Sequence, residues 1–338
     1  MAPPRPPPER RAVTAEAPAR PRVETPADEA AAAAFVAEAA AAARPVEILG
    51  GGTRRAIGRP VAADAALSTA GLTGVALYEP AALTLVAGAG APLPEIEALL
   101  AAEGQRLPFE PIDHRALLGT EGAPTLGGVV ATNASGPRRI QTGACRDSLI
   151  GVRFVDGRGR VVKNGGRVMK NVTGYDLVKL SAGAFGTLGV LTELSFKLSP
   201  RPEAARTLRL GGLDDAAAVA ALCAALGSPF DVSGAAHDPA GEDGAPLTLV
   251  RVEGFETSVA YRAARLRDLL APHGEAEIDE DPERVAETWR RIRDVAPFAG
   301  RPGAVWRCSV KPTDGPALVA SLRRREAVEA ALYDWGGG

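Results

Sequence analysis

Between Pro124 and Pro202 the chain carries four glycine clusters: Gly127-Gly128, Gly136, Gly165-Gly166, and Gly183 to Gly189. Strand-like runs separate them at Leu149 to Val155, Val161 to Lys163 and Val190 to Leu198. Glycine at this density does not build packed faces. It lets backbone N–H groups approach a ligand closely and take positive φ. A large flat ligand carrying phosphates needs such a surface. A further cluster, Gly50-Gly51-Gly52-Thr53, follows the short strand-like run Val46 to Leu49. It is not the G-x-G-x-x-G fingerprint of a dinucleotide site, and Gly58 and Pro60 interrupt the helix such a site requires. What remains is a strand leading into a glycine nest, able to bind a pyrophosphate through backbone N–H groups; the alternative is an ordinary tight turn.

Composition narrows the chemistry. Over 338 residues the formal charge is −2, which gives no reason to expect nucleic acid or an anionic membrane surface as partner. Aromatic residues make up 4%, too few for stacking on single strands. Cys145, Cys223 and Cys308 are scattered singly, so they form neither an iron–sulfur site nor a disulfide framework, and a reducing compartment is expected. His114, His237 and His273 contain no close pair, which argues against a histidine-built zinc site; no metal site is expected. The opening MAPPRPPPERR has charge but no apolar run behind it, so it does not read as a secretory signal. The alanine run Ala30 to Ala43 is too short and too weakly apolar to span a bilayer.

The elements that must position these clusters read as follows. Residues 1–23, rich in Pro, Arg and Ala, form a disordered tail, with a docking arm as the alternative. Thr25-Pro26-Ala27-Asp28 starts a helix, with Thr25 as cap and Asp28 at the capping-box position, and Pro45 ends it. Short strands are expected at Val46 to Leu49, Ala66 to Thr69, Val75 to Leu77 and Leu83 to Ala87. A helix follows from Leu93 to Glu103, striped by Leu93, Ile96, Leu99 and Leu100. After Pro202 the composition changes. Strands at Leu208 to Leu210, Leu247 to Val252 and Val305 to Val310 alternate with helices at Leu213 to Leu226, Ser258 to Leu270, Pro282 to Val295 (charged and exposed) and Gly315 to Arg325. The pattern is α+β, and its second part suits a ferredoxin-like sandwich with helices on one face. The ending at Tyr333-Asp334-Trp335-Gly336-Gly337-Gly338 reads as the approach to a further strand, so the cap reads as truncated at its C-terminus.

Taken together, Thr125-Leu126-Gly127-Gly128, Asn133-Ala134-Ser135-Gly136, Tyr175-Asp176-Leu177 and Gly186-Thr187-Leu188-Gly189-Val190 resemble the FAD domain of the vanillyl-alcohol oxidase and p-cresol methylhydroxylase (PCMH) type. The likeness covers about Ala43 to Pro202. Within that group it is greatest to the smaller FAD-binding subunits of bacterial glycolate oxidases, through Ser135-Gly136-Pro137-Arg138-Arg139, Arg146-Asp147, Val168-Met169-Lys170-Asn171-Val172 and Gly174-Tyr175-Asp176. The Trp306-Arg307 run and the Tyr333-Asp334-Trp335 ending look like that subunit as well. The resemblance implies a two-subdomain FAD-binding PCMH-type fold over 24–202 and an incomplete α+β cap over 203–338.

It also implies roles. Gly50, Gly51, Gly52 and Thr53 would cradle the FAD pyrophosphate. Thr125, Gly127 and Gly128 would lie against the diphosphate and ribityl chain. Asn133, Ser135, Gly136 and Arg138 would approach the isoalloxazine ring, and Gly186, Thr187, Gly189 and Val190 would meet the cofactor through backbone atoms, Val190 near the adenine. Arg138 or Arg139 could stabilise a reduced flavin's negative charge; the alternative is that both are solvated loop charges. Lys170 and Asn171 would pin the turn at Gly174-Tyr175-Asp176, with Tyr175 in the core. Three departures bear on mechanism. Phe185 stands where related oxidising subunits carry glutamate. Gly50 to Arg59 contains no His, Tyr or Cys for a covalent flavin, so FAD is expected to be non-covalent. The histidine-rich C-terminal motif of catalytic relatives is missing. Hydroxy-acid oxidation needs a base, usually histidine; His114 is a weak candidate, His237 and His273 read as surface loop residues, and the catalytic residues stay unknown. The implied function is an FAD-binding subunit of a cytoplasmic glycolate oxidase complex. A larger paralogous flavoprotein would oxidise the small hydroxy acid, an iron–sulfur subunit would carry electrons onward, and any membrane association would come through partners. A stand-alone FAD-dependent 2-hydroxy-acid dehydrogenase of D-lactate type and a scaffold subunit that no longer uses flavin remain open at this point.

Overall fold

The computed structural model describes residues 22–166, 174–241, 243–325 and 328–338. The Val168 to Val172 run, with Lys170 and Asn171, and residues 1–21 of the tail lie outside them.

The chain opens with β1 (Val23–Glu24), α1 (Glu29–Ala41), β2 (Val46–Leu49) and β3 (Ala65–Ser68), which form a parallel three-stranded sheet in the order β1-β3-β2. Asp28, not Thr25, caps α1, its carboxylate accepting from the Ala31 N–H at 2.8 Å. The cap therefore sits three residues later than the sequence reading placed it. Alanines at Ala32 and Ala39 keep the buried face of α1 thin, so it lies close against a small core made with Leu67, Val155 and Val190.

A second unit follows. It contains β4 (Val75–Glu79), β5 (Thr84–Gly88), α2 (Leu93–Ala102), β6 (Gln105–Arg106), the single turns α3 (Arg115–Leu118), α4 (Leu126–Ala131), α5 (Arg139–Thr142) and α6 (Cys145–Ser148), then β7 (Leu149–Val155), β8 (Val161–Gly165), α7 (Leu177–Ser181), β9 (Val190–Lys197) and β10 (Ser199–Pro200). Its antiparallel sheet runs β4-β5-β9-β7-β8, and β6 pairs with β10 beside it. The expected α2 stripe holds: Leu93, Ile96 and Leu100 bury against Phe109, Leu126, Leu194 and Phe196.

Residues after Pro202 build β11 (Ala204–Gly211), α8 (Asp215–Leu226), β12 (Val232–Asp238), β13 (Leu247–Gly254), α9 (Glu256–Leu270) and β14 (Ala276–Asp279). This βαββαβ order, with strands arranged β12-β13-β11-β14 and all pairs antiparallel, is ferredoxin-like as expected. Helices α8 and α9 cover one face. The other face is not open. Helix α10 (Pro282–Arg293), expected to be charged and exposed, buries Val285, Thr288, Trp289 and Ile292 against it. Trp289 is 1% exposed and donates its indole N–H to Thr207 Oγ1 at 2.9 Å. Spacings of three, one and three residues gather those four on one side of the helix, so its charges occupy only the outer side. The strand expected at Val305 to Val310 pairs with no described strand; the segment is irregular and largely exposed, with Trp306 84% exposed. Helix α11 (Gly315–Arg323) then leads to the Tyr333 segment, which does return to the sheet: Tyr333 and His237 exchange backbone hydrogen bonds of 2.9 Å across the edge of β12. His237 is thus a buried strand residue rather than a loop one. Its Nδ1 lies 3.0 Å from Thr248 Oγ1, and burial lowers its pKa.

Candidate cofactor site

The loop after β2 and the loop before α4 meet edge to edge. A Cβ on Gly50 would collide with Thr125 Oγ1, and one on Gly51 would collide with the carbonyl of Ala123. These two glycines are therefore required by packing between loops. Gly52 turns the chain with φ +74°. The N–H groups of Gly50, Gly51, Gly52, Thr53 and Arg54 donate to no described residue, although the Thr53 side chain is buried. Successive N–H groups left unused on one half-buried turn form a nest that suits an anion.

The second glycine loop differs. Thr125 caps α4, its Oγ1 accepting from the Gly128 N–H at 3.2 Å. The Gly127 N–H donates to Ala89 O at 2.6 Å. Asn133, at φ +47°, accepts on Oδ1 from the Arg146 N–H at 3.0 Å. Ser135 Oγ accepts from the Cys145 N–H at 2.9 Å and donates to Asn133 O at 3.1 Å. The Gly136 N–H donates to Phe109 O at 3.0 Å, and its carbonyl accepts from Trp335 Nε1 at 3.1 Å. Of the glycines in this loop, Gly128 alone would take a Cβ without a clash, in ordinary contact with Thr125 and Arg54.

Arg138 is neither a solvated charge nor one free to face a ring. It is buried, and it clasps Glu253 of β13 through Nε at 2.8 Å and Nη2 at 3.0 Å. Arg251 reaches back to Glu110 at 3.0 and 2.9 Å, and Arg106 adds a third guanidinium against Glu253 at 2.9 Å. Burial pushes the Glu253 carboxyl up, but Arg251 and Arg138 outweigh it and hold the group well below the usual range. Arg139 instead stacks on Trp335, 4.4 Å from the ring centre. Sequence reasoning missed Glu110, Arg251 and Glu253; Arg251 was signalled only by its charge inside an apolar strand-like run, and Glu110 and Glu253 by nothing local.

The Gly183 to Val190 loop turns on positive φ at Gly183, Phe185, Gly186 and Gly189. Gly189 could not carry a Cβ against the Val155 carbonyl. Thr187 Oγ1 donates to Ala184 O at 2.6 Å. Val190 turns its side chain into the core beside α1. Tyr175, expected in the core, is 89% exposed. His114 is buried enough that desolvation first, then Arg54, lowers its pKa to about 4. Its Nδ1 accepts from Arg54 Nε at 3.1 Å, so the ring is neutral with its proton on Nε2 and has no lone pair left for a base.

A family model described as an FAD binding domain matches residues 21–165, which span both glycine loops. The glycolate oxidase subunit GlcE of Escherichia coli (strain K12) is 37% identical over 294 residues, covering 87% of this chain and 74% of that one. The chain belongs to this FAD-binding flavoprotein family. The glycolate oxidase subunit GlcD of Bacillus subtilis (strain 168) is 43% identical over a shorter stretch, 25% of this chain and 18% of that one. Among solved structures, alkyldihydroxyacetonephosphate synthase superposes with a TM-score of 0.64 at 20% identity over 82% of this flavoprotein, which spans 55% of that chain. A Phl p 4 variant described as a glucose oxidase gives 0.59 at 15% identity, over 80% of this chain and 54% of that one. At those identities the two structures speak for the fold. FAD is the cofactor of the family, and the unused donors of the first loop fit its diphosphate. No helix of the described residues is long and apolar enough to cross a membrane.

Proposed function

We propose that the chain is the FAD-binding subunit of a glycolate oxidase complex, an FAD-dependent oxidoreductase acting on CH–OH donors, in which glycolate is oxidised to glyoxylate. The similarity to E. coli GlcE along most of both chains carries this reading. On it, residues 24–202 hold FAD non-covalently and 203–338 cap it. FAD, when bound, takes up the two electrons that leave the alcohol carbon. The N–H groups of Gly50 to Thr53 bind the diphosphate; Thr125 and Gly127 shape the wall behind it, and Gly128 leaves room for the chain that follows. Asn133, Ser135 and Gly136 fix the loop towards the ring, while Gly186, Thr187, Gly189 and Val190 shape the adenine end. Arg138 serves by tying that loop to the cap.

Neither His114 nor His237 offers a base: Arg54 occupies His114 Nδ1, and His237 lies inside the cap sheet. The proton on the substrate hydroxyl therefore goes to a partner, a larger paralogous flavoprotein subunit, with an iron–sulfur subunit as the onward acceptor. The assembly is cytoplasmic, and any membrane attachment comes through those partners. The test is spectroscopic. The purified chain is reconstituted with FAD and given glycolate, then D-lactate, without oxygen, alone and with the GlcD-like subunit. The expected result is an oxidised-flavin spectrum that persists alone and bleaches with the partner. Bleaching alone would make the chain a self-sufficient dehydrogenase; no bound flavin would make it a scaffold.

A further inference from the structure

The two arginines after the first glycine loop are used differently. Arg55 is exposed and closes a two-point ion pair on Glu47 at 2.9 and 2.6 Å. Arg54 folds inward. Its Nε donates to His114 Nδ1 at 3.1 Å and its Nη2 to Ile112 O at 2.9 Å. Both acceptors are neutral. Asp113, the adjoining acid, is taken by Arg115 through Nε at 3.0 Å and Nη2 at 2.7 Å. No described carboxylate forms an ion pair with Arg54, and burial lowers its pKa first of all. Its remaining nitrogen, Nη1, has no described partner and lies 3.5 Å from where a Cβ on Gly128 would stand, beside the second loop. A half-buried cation fixed at two points by neutral acceptors keeps its third corner, Nη1, for an anion that a ligand brings.

We propose that Arg54 is the cation of the diphosphate seat and that His114 is a positioning residue, its neutral imidazole holding the guanidinium without neutralising it. This rests on the reading that FAD occupies the cleft, and it assigns the seat to a diphosphate, so that ADP alone is recognised. An acid at position 114 would cancel the charge the ligand needs. A neutral ring accepts the Nε hydrogen bond and leaves the full charge to Nη1 and the phosphate.

The experiment titrates the full-length apo chain with FAD by flavin fluorescence, and with ADP and riboflavin by calorimetry. Arg54→Gln should weaken FAD and ADP by about ten- to a hundredfold, the scale of a charge-assisted hydrogen bond, and leave riboflavin unchanged. Arg55→Gln should change nothing. His114→Leu should weaken FAD less than Arg54→Gln, and His114→Gln, which keeps an acceptor, should restore most of it. Wild-type affinity for ADP should fall as salt rises, a readout independent of any variant's folding. If the wild type binds FAD but Arg54→Gln binds FAD and ADP equally well, the assignment of Arg54 is overturned and the reading of the cleft survives. If the wild type binds no FAD, both fall.

Discussion

The two glycine loops of the cleft look alike in sequence and differ in what they leave over. In the loop at Gly50 to Arg54, glycine makes close packing possible, and the backbone donors stay unspent. In the loop from Thr125 to Arg138 nearly every polar group is spent inside the protein: on Ala89, Phe109, Cys145 and Arg146, and across the boundary on Glu253 and Trp335. The first is built to receive a ligand and the second to hold a shape. Glycine content alone therefore does not separate binding from architecture; the fate of the N–H groups does.

The largest effect should come from the boundary side of the second loop. Glu253→Ala would take from the buried Arg138 its two-point partner and from the half-buried Arg106 its carboxylate, costing about 3–5 kcal/mol of stability, read as a fall in the urea or thermal midpoint. Breaking the exposed Arg55–Glu47 pair should cost less than about 1 kcal/mol, so equal losses would erase the contrast. Next, Gly51→Ala must displace the Ala123 carbonyl, an overpacking cost of about 1–3 kcal/mol, and should abolish FAD binding as well. Gly128→Ala sharpens the comparison because it should move the two readouts in opposite directions. Its Cβ meets nothing nearer than 3.4 Å, so the apo chain should gain up to about 1 kcal/mol of helix propensity. FAD, pressed against the same face, should bind more weakly; an unchanged affinity would place the cofactor elsewhere.

A pH effect is expected on the second loop's side as well. Burial raises the Asp334 carboxyl to about 7, with Glu110 adding to the rise and the Trp335 N–H, Arg251 and Arg139 opposing it. The native state then keeps a proton that the unfolded chain loses near its ordinary value of 3.8. The stability contribution is full below that value and is lost as pH rises through about 7. Protection of the Tyr333 and Gly336 amides, taken relative to their intrinsic base-catalysed exchange, should fall between pH 5 and pH 8, ends chosen to bracket about 7. Asp334→Asn should flatten that change, and a pH-independent wild type would rule out the buried acid.

Much of the fold was legible because its signals are local. The α2 stripe, helices α8 and α9 after Pro202 and the order of the glycine motifs need only neighbours in sequence, whereas strands β12 and β14 were missed. What was illegible depends on distant partners. Arg138 finds Glu253 across 115 positions, which no charge count reveals. The face of α10 was readable from Val285, Thr288, Trp289 and Ile292, but its charges masked it. Val305 to Val310 has the composition of a strand and still lacks a described neighbour to pair with, since a strand needs an edge as well as a sequence. Tyr175 was placed inside on residue type alone, and type does not fix burial.

That same exposed stretch bears on how the chain can be cut. Between Gly303 and Ser309 every residue is exposed, and Arg307 lies within it. Within the cap, trypsin should open the backbone there. The released piece carries α11 and the Tyr333 segment, whose hold is elsewhere: Tyr333 on His237 and Asp215, Gly336 on Ala235, Trp335 on Gly136. A nicked molecule should therefore migrate as one species under native conditions and as two in detergent, and the two pieces, expressed separately, should find each other again.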